Sequence, residues 1–183
     1  MALDIGIEEI EKTLMKKEKE FDKFLSQQRE VVRSCSNAIK CMHAYDMAAA
    51  KQHMKEAEKG ITELRELADD RHSHINHVLQ EYAEAKIVLS AIDKKTIPSF
   101  KELDMPIEPY LTGLLDAIGE LKRELLESLR RGNKHEAEQY FKLMDGIYDS
   151  LLPIRFSNSV LPEFRRKQDS ARFQVEQARA ELL

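Results

Sequence analysis

The stretch "PIEPYLTGLLDAIGELKRELLESLRRGN", residues 106–133, decides the fold class. Within it Leu111, Leu114, Leu115, Ile118, Leu121, Leu125 and Leu129 recur at steps of three and four. That is the period of one face of an α-helix and not of a strand. The spacing predicts a helix from Pro109 to about Arg131, where "RGN" closes it and Asn133 is placed to cap the next. The same period extends outward both ways, and the 6 glycines and 5 prolines are few enough to act as punctuation. A first helix is expected from about Ile5 to Ala44, long for a globular domain. A second follows Asp46, a candidate N-cap, to about Leu67. A third starts near "DDR", residues 69–71, and ends before Pro98. The connector "TIPSFKELDMPIEP" (96–109) holds Pro98, Pro106 and Pro109. The break "LLPIRFSNSVLP" (151–162) precedes a last helix from Pro162 almost to the end. No run alternates as a strand would. The expected fold is all-α: a single-domain antiparallel bundle of about six to seven helices over residues 1–183, with residues 98–109 as its connector.

At 183 residues the chain can bury a sizeable core. It is 42% hydrophobic and 34% charged, a balance that excludes a disordered chain. No apolar run approaches the roughly 18–20 residues of a membrane span. The N-terminus is charged from Asp4 onward and lacks the apolar centre of a signal peptide, so a cytoplasmic location without membrane contact is expected. Cys35 and Cys41 stand six apart with no second pair. They are read as buried free thiols rather than as a zinc site or a disulfide. The net charge of −4 argues against a broad basic nucleic-acid surface and leaves room for a local basic strip.

Two rows of acids carry the candidate chemistry. Glu81 and Glu84, in "QEYAEA" (80–85), share a helix face beside and opposite the stripe of Ile75, Val78, Leu79, Tyr82 and Leu89. On the next helix Asp116, Glu120, Glu124 and Glu127 line up opposite the leucine stripe, with Gly113 on the same side. Such rows are ordinarily solvated surface. This one has Arg123 as its only nearby counter-charge and forgoes the i,i+4 ion pairs of a plain surface helix. A hard divalent cation such as Mg²⁺ takes oxygen ligands and would relieve the repulsion. Held by carboxylates, it can activate water and steady a phosphoryl transition state. A helical glycine costs about 1 kcal/mol relative to alanine, so Gly113 is read as a place where another chain or a ligand comes close.

The first helix offers a basic counterpart. Arg29, Arg33 and Lys40, with Ser36 between, fall on one face as a phosphate track would; the plain alternative is a solvated face flanked by Glu20 and Glu30. "RHSHINH" (71–77) adds Arg71, His72, His74 and His77. His72 and His74 point apart on a helix and only His77 aligns with Glu81. There is no Gly-rich phosphate loop and no Ser or Cys nucleophile signature. A di-iron carboxylate bundle needs Glu-x-x-His on two helices, and "EYAE" has Glu where the His should stand.

"LQEYAEA" (79–85), followed by "PIEPYLTGLLDAIGELKRELLESLRRGNKHEAEQYFKLMDGIYDSL" (106–151), resembles the translin superfamily. The pattern is Tyr-Leu-x-Gly at Tyr110, Leu111 and Gly113, then Gly-Glu-Leu at Gly119, Glu120 and Leu121, then a Gly-Asn turn at Gly132 and Asn133. The resemblance runs from about Arg29 to the C-terminus and is most specific from Val78 to Leu152. Translin-type chains bind single-stranded nucleic acid and lack most of the acids; chains like translin-associated factor X carry them. Glu81 and Glu84 match the paired glutamates of that second branch, and Asp116 and Glu120 its aspartate and following glutamate. Translin-type sequences have an apolar residue at the Asp116 position.

Likeness to the factor X branch implies a Mg²⁺-dependent endoribonuclease, with Mn²⁺ as a substitute metal. It implies single-stranded RNA cut inside a hollow homo-oligomer, an octamer. Glu81, Glu84, Asp116 and Glu120 are then both the metal ligands and the catalytic set. Arg29, Arg33, Lys40, Arg71, His72 and His74 are the nucleic-acid contacts, with His72 and His74 best matching a basic, His-containing segment of translin. The alternative is a non-catalytic translin-like assembly that binds single-stranded RNA or DNA, against which Asp116 argues. A third reading is a purely structural helical oligomer. The compact "KKTIPSFKELDM" (94–105) lacks the insertion of the animal factor X proteins, and no basic import segment precedes it, as in a prokaryotic, archaeal member.

Overall fold

A computed structural model describes residues 5–68 and 72–183. Six α-helices run through these residues: α1 Ile7–His43, α2 Met47–Ala68, α3 Asn76–Ile92, α4 Ile107–Arg130, α5 Lys134–Leu151 and α6 Phe164–Glu181. No strand occurs among the described residues. The all-α expectation holds, and so do two caps. Asp46 Oδ1 accepts from the Ala49 N–H at 3.0 Å. Asn133 Oδ1 accepts from the Glu136 N–H at 3.2 Å, and the Asn133 amide donates back to the Glu136 carboxylate at 3.2 Å. Gly132, at φ +76°, supplies the left-handed turn that ends α4.

Three boundaries differ from the sequence reading. The expected start of the third helix at residues 69–71 lies outside the described residues; a 3-10 turn at His72–Ile75 leads into α3 at Asn76. α4 starts at Ile107, so Pro109 lies in its first turn, where a missing N–H leaves no hydrogen bond unmade. α6 starts at Phe164 after Glu163 at φ +64°, two residues past Pro162.

The core is one contiguous apolar cluster. α4 lies at its centre, packed on α3, α5 and α6, while α1 packs on α2 and α3. Ile118, Leu121 and Leu125 of the predicted stripe are fully buried, each contributing about 1.5–3 kcal/mol of transfer free energy. Cys35 is buried and Cys41 half-buried, toward the edge of the same cluster. Residues 5–23 are exposed throughout, and Phe24 is the first buried side chain of α1. The leading turns of α1 therefore project past the core, with Ile7, Ile10 and Leu14 on their surface. Among the described residues no helix is long and apolar enough to cross a membrane.

Candidate functional site

The acids meet where α3 and α4 cross. A Cβ added at Gly113 would lie 2.7 Å from Ala83 Cβ, 2.8 Å from the Gln80 carbonyl oxygen and 3.2 Å from the Glu84 nitrogen. Gly113 therefore admits α3, and not another chain or a ligand as its spacing was read to allow. The close crossing sets Glu84 against Asp116, one turn along α4 from Gly113. Gln80 ties the two helices again, its Nε2 donating to Asp116 Oδ2 at 2.8 Å. The side chains of Glu81, Asp116 and Glu120 are each about a quarter exposed, and Glu124 is 1% exposed. The acid row on α4 is thus a seam between helices and not the solvent-facing stripe that its periodicity predicts. Glu127 departs from the others and pairs with Arg130 at the surface.

Two cations that the sequence reading did not single out hold this seam. His43, the last residue of α1, donates from Nε2 to Glu120 Oε2 at 2.5 Å and from Nδ1 to Glu124 Oε1. Burial pulls the His43 pKa down, but its hydrogen bonds to Glu120 and Glu124 and their charges outweigh burial and raise it to about 9. His43 is therefore an imidazolium at neutral pH, and its bond holds Glu120 below the usual carboxylate range. Lys167, in the first turn of α6, chelates Asp116: Nζ lies 2.6 Å from Oδ1 and 2.7 Å from Oδ2. Arg123, the counter-charge expected from spacing, stands 4.0 Å from Glu120 and is mostly exposed. The partners come from 77 and 51 residues away, beyond the reach of helical periodicity.

Among the described residues no cation pairs directly with Glu84. Burial raises its pKa most, the charges of Asp116, Glu81 and Glu120 raise it further, and Lys167 opposes them; the result is about 8. Glu84 therefore holds a proton at neutral pH and releases it just above. Cys35 lies behind the same acids. Burial, then Glu81 and Glu84, push its thiol up to about 12, so it is no nucleophile.

The basic row flanks the seam. At about 100° per residue, Arg29, Arg33 and Lys40 fall within about 40° of one another and about 60° round α1 from His43. They lie away from Gln27, which bonds Glu63 of α2 at 2.7 Å. All three are exposed, and Arg33 makes only a loose 3.7 Å pair with Glu30. The 3-10 turn docks on α1 beside Arg29, with Gln28 Nε2 donating to the His74 carbonyl at 2.7 Å. His74 is exposed there. Arg71 and the His72 side chain lie outside the described residues. His77 is exposed, 3.9 Å from Glu81. A cavity of about 530 Å³ opens beside His43, with Lys122, Arg123 and Arg130 in its wall. Of these three cations the sequence reading named only Arg123.

Four carboxylates with oxygen donors alone match the chemistry of a Mg²⁺ site in donor type. Among the described residues, however, no three such side chains converge as ligands of one ion. Asp116 is engaged by Lys167 and Gln80, and Glu120 by His43. Glu81, Glu84, Asp116 and Glu120 would hold a cation once Asp116 and Glu120 turn from these partners.

The model of the translin family matches residues 6–179. The uncharacterized protein MJ0175 of Methanocaldococcus jannaschii is 35% identical over 167 residues, covering 88% of this chain and 74% of that protein. Among solved structures, AfC3PO in a complex with duplex RNA is similar at a TM-score of 0.86 and 27% identity, covering 97% of this chain and 95% of that one. Apo-NeC3PO is similar at a TM-score of 0.88, covering 100% of this chain and 98% of that one. At 23% identity it speaks for the fold alone.

Proposed function

The chain belongs to the translin family, and from that premise we propose that it is a metal-dependent endoribonuclease of the factor X kind. Its substrate in this reading is single-stranded RNA, and it works inside a hollow homo-oligomer, an octamer. The observation that carries the reading is the meeting of Glu84 with Asp116, Glu81 and Glu120 in one partly buried seam.

Glu81, Glu84, Asp116 and Glu120 hold Mg²⁺ in this proposal, with Mn²⁺ as substitute. The metal supplies a Lewis acid and a bound water of lowered pKa. Glu84, raised to about 8, would first give up its proton to serve there, and as a carboxylate it would be the acceptor for the proton of the attacking water. His43 holds Glu120 until the metal takes it over, and keeps its own proton through the neutral range. Arg29, Arg33, Lys40 and His74 bind phosphates along the flank, and Arg71 and His72 belong to the same contact set.

A non-catalytic RNA- or DNA-binding assembly is the second reading. The observation in its favour is that Asp116 and Glu120 already have cationic partners in the chain itself. The test is cleavage of end-labelled RNA, single-stranded and duplex, because the relative AfC3PO is seen in a complex with duplex RNA. Lanes carry Mg²⁺, Mn²⁺ or EDTA, with Glu81→Ala and Asp116→Asn alongside. The proposal expects cleavage of the single strand only with metal, lost in both variants while binding persists. Binding without cleavage in every lane would leave the non-catalytic assembly.

A further inference from the structure

Asp116 is the most heavily engaged of the four carboxylates. Lys167 Nζ spans both of its oxygens at 2.6 and 2.7 Å, and Gln80 Nε2 reaches Oδ2 from the opposite helix at 2.8 Å. Other cations around α4 and α6 do not share this position. Arg166 pairs with Glu163 of its own turn, Arg123 is exposed at the rim, and Lys122 bonds Gln177. The Lys167 side chain is only 19% exposed, and its backbone N–H is fixed to the Glu163 carbonyl at 3.0 Å. An ammonium that chelates a carboxylate occupies the space in front of both oxygens, which is where a metal ion would bind. It is also a compact point charge on a flexible four-carbon stem, able to withdraw while α6 stays in place.

Given the metal-site reading above, on which this rests, we infer that Lys167 is the resident cation of the site: a built-in competitor that must release Asp116 before a divalent cation binds there. The chain then needs no metal to balance Asp116. Lys167 sets a threshold for loading, and the metal and the ammonium hold Asp116 in turn. When displaced, the ammonium remains tethered at the edge of the site.

The test is Mn²⁺ binding to the whole protein, read from free Mn²⁺ by electron paramagnetic resonance at fixed pH and salt. The samples are the natural chain, Lys167→Met, Lys167→Gln, Lys167→Arg, Lys122→Met and Asp116→Asn. Circular dichroism melts establish that each is folded, and either neutral variant at Lys167 serves the test. Lys167→Met or Lys167→Gln is expected to bind Mn²⁺ about tenfold more tightly, the scale on which one close opposite charge biases a carboxylate. Lys167→Arg keeps a two-pronged cation on Asp116 and gives no gain. Lys122→Met, which removes a nearby charge but no competitor, leaves affinity unchanged. Unchanged or weaker binding in the neutral Lys167 variants, or an equal gain in Lys122→Met, overturns the inference. If Asp116→Asn lowers affinity while the Lys167 variants do not raise it, the metal site stands and the competitor role falls. If no sample binds Mn²⁺, or Asp116→Asn binds it as well as the natural chain, both fall together.

Discussion

Replacing His43 by Gln removes the cation between Glu120 and Glu124 and leaves a nearly inaccessible carboxylate without its charge partner. The gap between about 9 in the folded chain and the ordinary 6.5 corresponds to about 3 kcal/mol. The side chain is 7% exposed, so little of this is lost to solvent screening. A histidine whose pKa is raised by folding contributes its full stability below pH 6.5 and loses it as pH rises through about 9. Urea unfolding in EDTA, at one protein concentration from pH 6 to pH 9.5, measures this. The natural chain should exceed His43→Gln by about 3 kcal/mol at pH 6, with the difference closing above about pH 9. Glu84, whose pKa folding also raises, lowers stability as pH climbs from 4.5 to about 8. That slope is present in both proteins and cancels in the difference. Two curves that stay parallel across the range would refute the assignment of His43 as the buried imidazolium.

Gly113→Ala should lower the melting temperature even though alanine favours helices by about 1 kcal/mol. The new methyl meets Ala83 and the α3 backbone at 2.7 and 2.8 Å, an overpacking cost of about 1–3 kcal/mol; a melting temperature equal to or above that of the natural chain speaks against the close crossing. Alanine at Arg29, Arg33 or Lys40 should weaken RNA binding alike across sequences and reduce the slope of log affinity on log salt by about 0.7 per lost phosphate contact on a single strand. A slope unchanged in all three, measured by fluorescence anisotropy, removes that row from the RNA path.

What was legible in the sequence was local. The three- and four-residue steps of the leucines disclosed α4, and the Asp46 and Asn133 side chains marked two helix starts because a cap acts within one turn. The same steps put Glu81 with Glu84 on one face of α3 and Asp116 with Glu120 on one face of α4; joining the four into one set took the family resemblance. Periodicity could not say what covers a polar face. It put Glu124 in solvent, although α1 closes over that position and delivers His43 to it. Gly113 looked like an opening because the occupant of a helix crossing is fixed by another element, here Ala83 and Gln80 of α3. Lys167 sits among Arg165 and Arg166 in "RRK", and nothing in that tripeptide distinguishes the one residue that turns inward.

The chain position of the two cations has a consequence for synthesis. The acids lie on α3 and α4, in the middle of the polypeptide, and His43 precedes them. Lys167 belongs to α6, which leaves a ribosome after both of those helices. Until α6 docks, Asp116 faces Gln80 alone among the described residues, next to the charges of Glu81, Glu84 and Glu120. The electrostatics of α3 and α4 are therefore completed by α6. A nascent chain that stops before α6 carries an uncompensated negative seam, and docking of α6 both closes the core through Phe164 and Ala171 and delivers the missing charge. Completion of the fold and assembly of the site thus become a single event, set by the docking of α6.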